Sequence, residues 1–257
     1  MIPNYDKFVD ILQLRFPLVT QEEAITMLLQ QIASGRGGGV CFPDMSTLNL
    51  AEKDTSFKDL LRQRMLTLND SAGLAWMARR RGRPFPDKLN GTDLCPRLFA
   101  RAPNKTRVFL LGGKPGTADR ARDELARTYP HLEFVGAHHG HFSEGEEQKV
   151  IALLRELKPQ ILLVGMGNPL QIRFIDRHLD DPAFQQTLFL AVGGFMHYYS
   201  GELSRAPVWV RRVHLEWLYI TLQQPHKLKR YFIGIPLFLF NCLRAEFLGH
   251  HDIPNVG

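Results

Sequence analysis

Cysteine is scarce in this 257-residue chain: Cys41, Cys95 and Cys242 are odd in number, far apart and without C-x-x-C spacing. A disulfide framework is thereby excluded, and a reducing compartment with no structural zinc is the plain expectation. The first residues, Met1-Ile-Pro-Asn-Tyr-Asp-Lys-Phe8, lack the basic start, apolar core and cleavage site of a signal peptide, so the protein is expected on the cytoplasmic side. Internal repeats, low-complexity tracts and nucleic-acid-binding motifs are absent as well. No apolar run reaches the roughly 20 residues that a spanning helix needs. What is present, 44% hydrophobic and 23% charged residues with 21 Gly and 16 Pro, fits one large globular domain or a domain with an appendage. The net charge of +6 is compatible with nucleic acid, an anionic membrane surface or a polyanionic substrate.

Regular patterning begins at Thr20-Gln-Glu-Glu23, a capping box that opens a helix running to about Ser34. Gly35-Arg-Gly-Gly-Gly39 ends it, and Val40-Cys-Phe42 reads as a short strand. The spacing from Leu48 to Leu66 predicts two short helices broken near Asp54-Thr55-Ser56, and further helices are expected from Ala72 and from the turn Asn90-Gly-Thr-Asp93. Apolar runs at Val108, Glu133, Ile161 and Leu188 then alternate with helical patterns, one of them opened by a second capping box, Ser143-Glu-Gly-Glu146. Buried strands alternating with helices predict an α/β fold: a Rossmann-like, mostly parallel sheet with helices on both faces.

Glycines collect where these strands end: Gly112-Gly113, Gly136, Gly140, Gly165-Met-Gly167 with Asn168, and Gly193-Gly194. Open parallel sheets bind ligands at that edge, so a nucleotide or phosphorylated ligand is expected, against the plainer use of each glycine to close a turn. The loop Gly112-Gly-Lys-Pro-Gly-Thr117 is not a Walker A loop, because Pro115 and Gly116 separate the lysine from the threonine. A G-x-G-x-x-G fingerprint is also missing. His138-His139-Gly140-His141 has no carboxylate at ligand spacing, and consecutive histidines point in different directions, so a polar loop is expected and no metal. Asp70, which follows a weak strand, and Asp93 each sit at the mouth of a helix, where an aspartate is either an N-cap worth about 1 kcal/mol or a general base.

From Arg205 onward Trp209, Leu215, Trp217, Leu218 and Leu222 interleave with Arg211, Arg212, Lys227, Lys229 and Arg230. Tyr231 to Phe240 is then almost wholly apolar but interrupted by Gly234 and Pro236. An interfacial segment matches this better than a spanning helix, with packing on the core or on another subunit as the competing reading. The chain therefore divides into an α/β catalytic domain at 1–204 and a basic, apolar, helical membrane-associating appendage at 205–257.

From Thr20 to Arg230 the sequence resembles the WecG/TagA/CpsF glycosyltransferase family. The motifs that carry the likeness are Asp70-Ser-Ala-Gly73, Gly91-Thr-Asp-Leu94, Leu110-Leu-Gly-Gly113, Gly165-Met-Gly-Asn-Pro-Leu-Gln171, Val192-Gly-Gly194, Arg205-Ala-Pro207 and Leu215-Glu-Trp217. The resemblance implies an inverting transfer from a UDP-sugar to an undecaprenyl-diphosphate-linked sugar, peripheral on the inner face of the cell membrane, in exopolysaccharide or other envelope-glycan assembly. It also implies that subunits associate. No cofactor beyond the donor is expected, and no nucleic acid. On this likeness Asp70 is the general base and Gln171 lies near the donor. Thr92, Asp93 and the glycine loops lie on the nucleotide side, and Arg205, Arg211 and Arg212 grip the UDP leaving group or the acceptor diphosphate.

Several positions depart from the family pattern. Phe42-Pro-Asp44 stands where T-x-N is usual, which makes Asp44 a second candidate base. Ser71 replaces a glycine, Ile172 a glutamate, His197 an aspartate and Ile220 an arginine. These changes leave the donor sugar open between N-acetylhexosamine-type and hexose. Two other classes compete. A nucleotide-sugar epimerase or dehydrogenase lacks its nicotinamide fingerprint here. A non-enzymatic lipid- or nucleic-acid-binding module fits the charge, yet the cations lie beside aromatics and an apolar stretch.

Overall fold

The computed structural model describes residues 7–207, 216–223 and 232–248. Trp209, Arg211, Arg212, Leu215, Pro225, Lys227, Lys229, Arg230 and Tyr231 lie outside these, as do the side chains of Trp217, Leu218 and Ile220.

Six strands form one wholly parallel sheet: β3 (Gly38–Cys41), β4 (Met65–Thr67), β5 (Arg107–Gly112), β6 (Glu133–His138), β7 (Ile161–Gly165) and β8 (Leu188–Ala191), in the order β4-β3-β8-β7-β5-β6. The predicted α/β architecture is therefore present, and all strands end at one edge. β5 continues to β6 while β7 continues to β8, in opposite directions along the sheet, which puts the topological switch point between β5 and β7.

Side chains alternate between two cores. Val108, Leu110, Ile161, Leu163, Leu188 and Leu190 face one. It is covered by α1 (Gln21–Ala33), α5 (Gly91–Arg101), α6 (Thr117–Thr128) and α9 (Phe195–Tyr199). Phe109, Leu111, Leu162, Val164 and Phe189 face the other. There α2 (Met45–Ala51), α3 (Thr55–Arg64), α4 (Ala72–Arg80), α7 (Glu144–Leu157) and α8 (Leu170–Leu179) supply the apolar faces. Alternate strand residues thus serve opposite layers, as a doubly covered sheet requires. Both capping boxes form: the Thr20 side chain accepts from Glu23 N and the Ser143 side chain from Glu146 N, with each glutamate reaching back to its cap.

Three elements differ from expectation. A hairpin precedes the sheet, β1 (Phe8–Ile11) paired antiparallel with β2 (Leu14–Pro17). Its turn residues Leu12 and Gln13 have φ of 51° and 63° without being Gly, Asn or Asp, so no turn signal marks it. Apolar burial of Val9, Ile11, Leu14 and Phe16 holds it in place. Second, the predicted helix reaching Leu66 stops at Arg64, and Met65–Thr67 is the edge strand β4, whose three residues are buried.

Third, Gly234 and Pro236 do not interrupt the tail. They open a 14-residue helix, α11 (Gly234–Phe247), which follows α10 (Glu216–Gln223). A proline in the first turn removes an N–H that has no intrahelical partner anyway. Phe238 and Cys242 are fully buried in the core shared with α2 and α4. Asn49 Nδ2 donates to Gly234 O at 2.7 Å, and Arg80 Nε to Glu246 Oε2 at 2.9 Å. The opposite side of α11 exposes Phe240, Leu243 and Phe247. Among the described residues no helix is long and apolar enough to cross a membrane. Burial raises the pKa of all three cysteine thiols, Cys242 to about 12, so they are held protonated.

Candidate active site

The C-terminal ends of β5, β7 and β8 meet through backbone. A Cβ on Gly112 would stand 2.4 Å from Gly165 O, and one on Gly165 would stand 2.6 Å from Gly193 O. Glycine is required here by close approach. We predict that Gly165→Ala costs about 1–3 kcal/mol, as overpacking against rigid backbone does, read as a lowered denaturation midpoint.

The glycine loops are less open to a ligand than expected. Gly113 N donates to Gly165 O at 3.2 Å, Gly140 N to Gly113 O at 2.9 Å and Gly193 N to Gln171 Oε1 at 3.2 Å. Those amides close the loops upon one another. Gly136 is not at a strand end at all: it lies within β6, where a Cβ would meet the Phe109 ring at 2.7 Å. Its glycine serves packing. Gly167 has φ of +76° and open space beside it, as does Gly193 at +53°, and Gly194 follows as the N-cap of α9.

A hydrogen-bonded chain crosses the loops after β3, β7 and β8. Gly193 N–H donates to Gln171 Oε1, and Gln171 Nε2 donates to Asn168 Oδ1 at 3.0 Å. Asn168 Nδ2 donates to Thr47 Oγ1 at 2.9 Å, and Thr47 Oγ1 donates to Asp44 Oδ1 at 2.8 Å. Every donor points toward the carboxylate, so each bond polarises the next. Gln171 and Thr47 are buried, which makes the chain a positioning device. Asp44 is also the N-cap of α2, and its Oδ1 accepts from Thr47 N at 2.9 Å and from Ser46 Oγ at 2.8 Å. Nothing in the sequence singles out Thr47: it stands 121 positions from Asn168.

Asp70 is not the cap of α4; Ser71 is, its side chain accepting from Leu74 N. The carboxylate is thereby released from the helix end and is about one-third exposed (34%), with Lys88 Nζ 4.0 Å from Oδ1. The buried Asn69 fixes this stretch: its Nδ2 donates to Asp87 O and its backbone carbonyl accepts from Leu89 N, both at 2.9 Å. Nothing in the sequence singles out Lys88 as the cation beside Asp70.

Asp93 does not cap its helix either. Asn90 caps α5, accepting from Asp93 N at 2.8 Å and from Thr92 Oγ1 at 2.7 Å. The Asp93 carboxylate accepts from Asn90 Nδ2 at 2.6 Å and from the Arg205 guanidinium, which unites two predicted ligand-side residues. Arg205 Nε is buried without a hydrogen-bond partner among the described residues. Phe42 fills the space beside Gly91, where a Cβ would come within 3.0 Å of its ring.

His197, on α9, replaces an expected acid, but Glu202 returns a carboxylate: His197 Nδ1 lies 2.6 Å from Glu202 Oε2. Glu202 also accepts from Thr117 Oγ1 at 2.6 Å and from Arg120. Burial raises the Glu202 pKa, yet Thr117, His197 and Arg120 outweigh it and hold the carboxyl below its ordinary range. Glu202 thus ties α9 and the segment after it to the start of α6. In the histidine run, the His138 and His139 rings lie 4.3 Å apart, and His138 Nδ1 is 2.8 Å from His139 O. No group of three or more His, Cys, Asp or Glu among the described residues could hold a metal ion.

Asp44, Asp70, Asn168, Gln171, Gly193 and Gly194 thus follow the C-terminal ends of β3, β4, β7 and β8, along one edge of the parallel sheet. The model of the glycosyl transferase WecG/TagA/CpsF family matches residues 9–252. The chain is also similar to N-acetylglucosaminyldiphosphoundecaprenol N-acetyl-beta-D-mannosaminyltransferase from Staphylococcus aureus strain MW2, 28% identical over 200 residues, 77% of each chain. Enzymes of that name from strains NCTC 8325 / PS 47 and MRSA252 match with the same identity and coverage. An epimerase, a dehydrogenase or a bare binding module is not compatible with a family match that spans nearly the whole sequence. With its motifs on one sheet edge and the family model covering residues 9–252, the chain belongs to the WecG/TagA/CpsF family and is a glycosyltransferase.

Proposed function

We propose that the enzyme moves a hexose or N-acetylhexosamine-type sugar from a UDP-sugar to an undecaprenyl-diphosphate-linked sugar, with inversion, in exopolysaccharide or other cell-envelope glycan assembly. The observation that carries this is the placement of Asp70: a carboxylate released from capping, partly shielded, beside Lys88 at the ligand edge of the sheet. The names of the Staphylococcus aureus relatives, which specify a diphosphoundecaprenol-linked acceptor, support the acceptor class.

In this reading the donor diphosphate lies over the switch point between β5 and β7, with Arg205 on its nucleotide side. The acceptor hydroxyl gives its proton to Asp70 as its oxygen attacks the anomeric carbon, and the bond from that carbon to the diphosphate oxygen breaks on the opposite face. UDP leaves with the electron pair, and Arg205 with its neighbours offsets the negative charge. An aspartate is a weak base, so placement of the donor beside Gln171, which the Asn168–Thr47–Asp44 chain holds in position, and partial desolvation supply much of the rate. Lys88 is placed to approach the acceptor diphosphate. The exposed side of α11 rests on the membrane, so catalysis proceeds at the surface where a lipid-borne acceptor is held.

The test incubates the full chain with a panel of UDP-sugars and synthetic lipid-diphosphate monosaccharides, reading product mass and anomeric configuration. One donor is expected to give an added sugar of inverted configuration. Retained configuration, or transfer only to soluble sugars without diphosphate, would sink the proposal.

A further inference from the structure

Trp76 on α4 is 44% exposed although its helix is part of the catalytic core. Its place on the helix explains what it adjoins. Gly73 and Arg80 of α4 both reach α11: a Cβ on Gly73 would meet Met45 of α2 at 2.4 Å and the Phe238 ring at 3.1 Å, and Arg80 bonds Glu246. The two helices therefore run side by side in the same direction, Gly73 level with Phe238 and Arg80 level with Glu246. Residues 73, 76 and 80 follow i, i+3, i+7 and share one face, so Trp76 sits along the seam with α11.

On α11 the outward residues Pro236, Phe240, Leu243 and Phe247 follow i, i+4, i+7, i+11, with Phe240 60% and Phe247 92% exposed. Ile233, one turn earlier, continues the stripe. At the end of α4, Arg79-Arg80-Arg81-Gly82-Arg83 places four arginines in five positions. Arg81 and Arg83 donate to the Asp10 and Phe8 carbonyls and anchor the hairpin, and the Arg80 guanidinium lies 5.9 Å from the Trp76 ring. Arg79 is exposed and makes no ion pair with another described residue.

We propose that α4 is part of the membrane-docking surface: Trp76 enters the headgroup boundary beside the α11 stripe, and Arg79 with the neighbouring arginines binds anionic lipid headgroups. This rests on the peripheral-membrane reading above and extends it from the appendage to the catalytic domain. Charge decides between occupants. A second copy docked through the same patch would bring a second arginine cluster to the contact, whereas anionic headgroups neutralise the first one. An indole beside cations and aliphatic bulk suits a headgroup boundary. Because Asp70 immediately precedes α4, docking through this helix fixes the proposed base at the level of the lipid surface.

The test uses the full chain with Trp209→Phe and Trp217→Phe, which leaves Trp76 as the only tryptophan. With phosphatidylglycerol vesicles its emission is expected to shift to the blue and to be quenched by brominated lipids, and phosphatidylcholine vesicles give neither. In the otherwise unmodified chain, Arg79→Gln is expected to weaken vesicle affinity about fivefold and flatten its salt dependence. Turnover on a short-chain, water-soluble acceptor stays unchanged. If the chain sediments with anionic vesicles while Trp76 emission is unmoved and Arg79→Gln has no effect, the tail docks alone and only this inference falls. Failure of the wild type to sediment removes both readings. A blue shift without lipid that grows with protein concentration assigns the patch to a second copy and overturns the lipid assignment.

Discussion

Asp70→Asn is expected to lower kcat by about 10²- to 10⁴-fold, the range typical of a lost general base, with little change in donor KM. Asp44→Asn is expected to stay within a few-fold of wild type. The two substitutions are chemically identical, so the contrast isolates what each carboxylate does. At position 70 the amide keeps the volume but cannot accept a proton, and the helix end is unaffected because Ser71 is the cap. At position 44 Oδ1 accepts three hydrogen bonds, from Thr47 N, Thr47 Oγ1 and Ser46 Oγ. An asparagine carbonyl accepts the same three, and asparagine caps helices as well as aspartate does. Asp44→Ala is a different perturbation: it removes a cap worth about 1 kcal/mol and the terminal acceptor of the chain that orients Gln171. Its loss of activity should therefore be rescued by asparagine. Steady-state rates across pH complete the measurement, since only the residue that takes the proton should remove the acid limb of kcat/KM. A collapse of Asp44→Asn with Asp70→Asn nearly intact would exchange the two roles.

Phe238→Ala is expected to destabilise the protein by about 3–5 kcal/mol, as buried phenylalanine truncations do. The ring is wholly buried, in the same core as Leu48, Ala51, Leu74 and Met77, and it lies against the site where a Cβ on Gly73 would fall. A cavity at that point loosens α11 from both α2 and α4. Urea denaturation should show a lower midpoint at an unchanged slope. A cost under about 1 kcal/mol, below any core truncation of this size, would mean that α11 is not held there. The same variant should recover poorly with anionic vesicles, because its exposed stripe is no longer aligned with Trp76.

The parts legible in the sequence are those encoded locally. Capping boxes at Thr20 and Ser143 mark helix starts because donor and acceptor lie three residues apart. Strands such as Ile161–Gly165 announce themselves because burial on both faces leaves a continuous apolar run. Motif resemblance likewise put Asp70, Gln171 and Asp93 on the list of site residues. What was hidden depends on long-range geometry. The turn at Leu12-Gln13 uses left-handed residues without the usual turn chemistry, and the start of β4 at Met65 is masked by helical spacing that continues to Leu66. Ser71 and Asn90 capped helices where the aspartates beside them were equally plausible on spacing. The run from Gly193 to Asp44 joins loops more than a hundred positions apart, so no spacing rule reveals it. Its middle member Thr47 carries no signal beyond an ordinary helix-start threonine.

The close meeting of Gly112, Gly165 and Gly193 has a consequence for how donor preference can diverge. Substitution at Gly112 and Gly165 is opposed by neighbouring backbone, and at Gly193 by its left-handed φ of +53°. Room for change lies at the rim. Phe42, Asp44, Ser71 and His197 are positions near that edge where the sequence resemblance marks a departure, and none of them is a member of the glycine seam. A library aimed at a new sugar would therefore vary Phe42, Ser71 and His197 together and leave the seam untouched, separating the part open to change from the part that holds still.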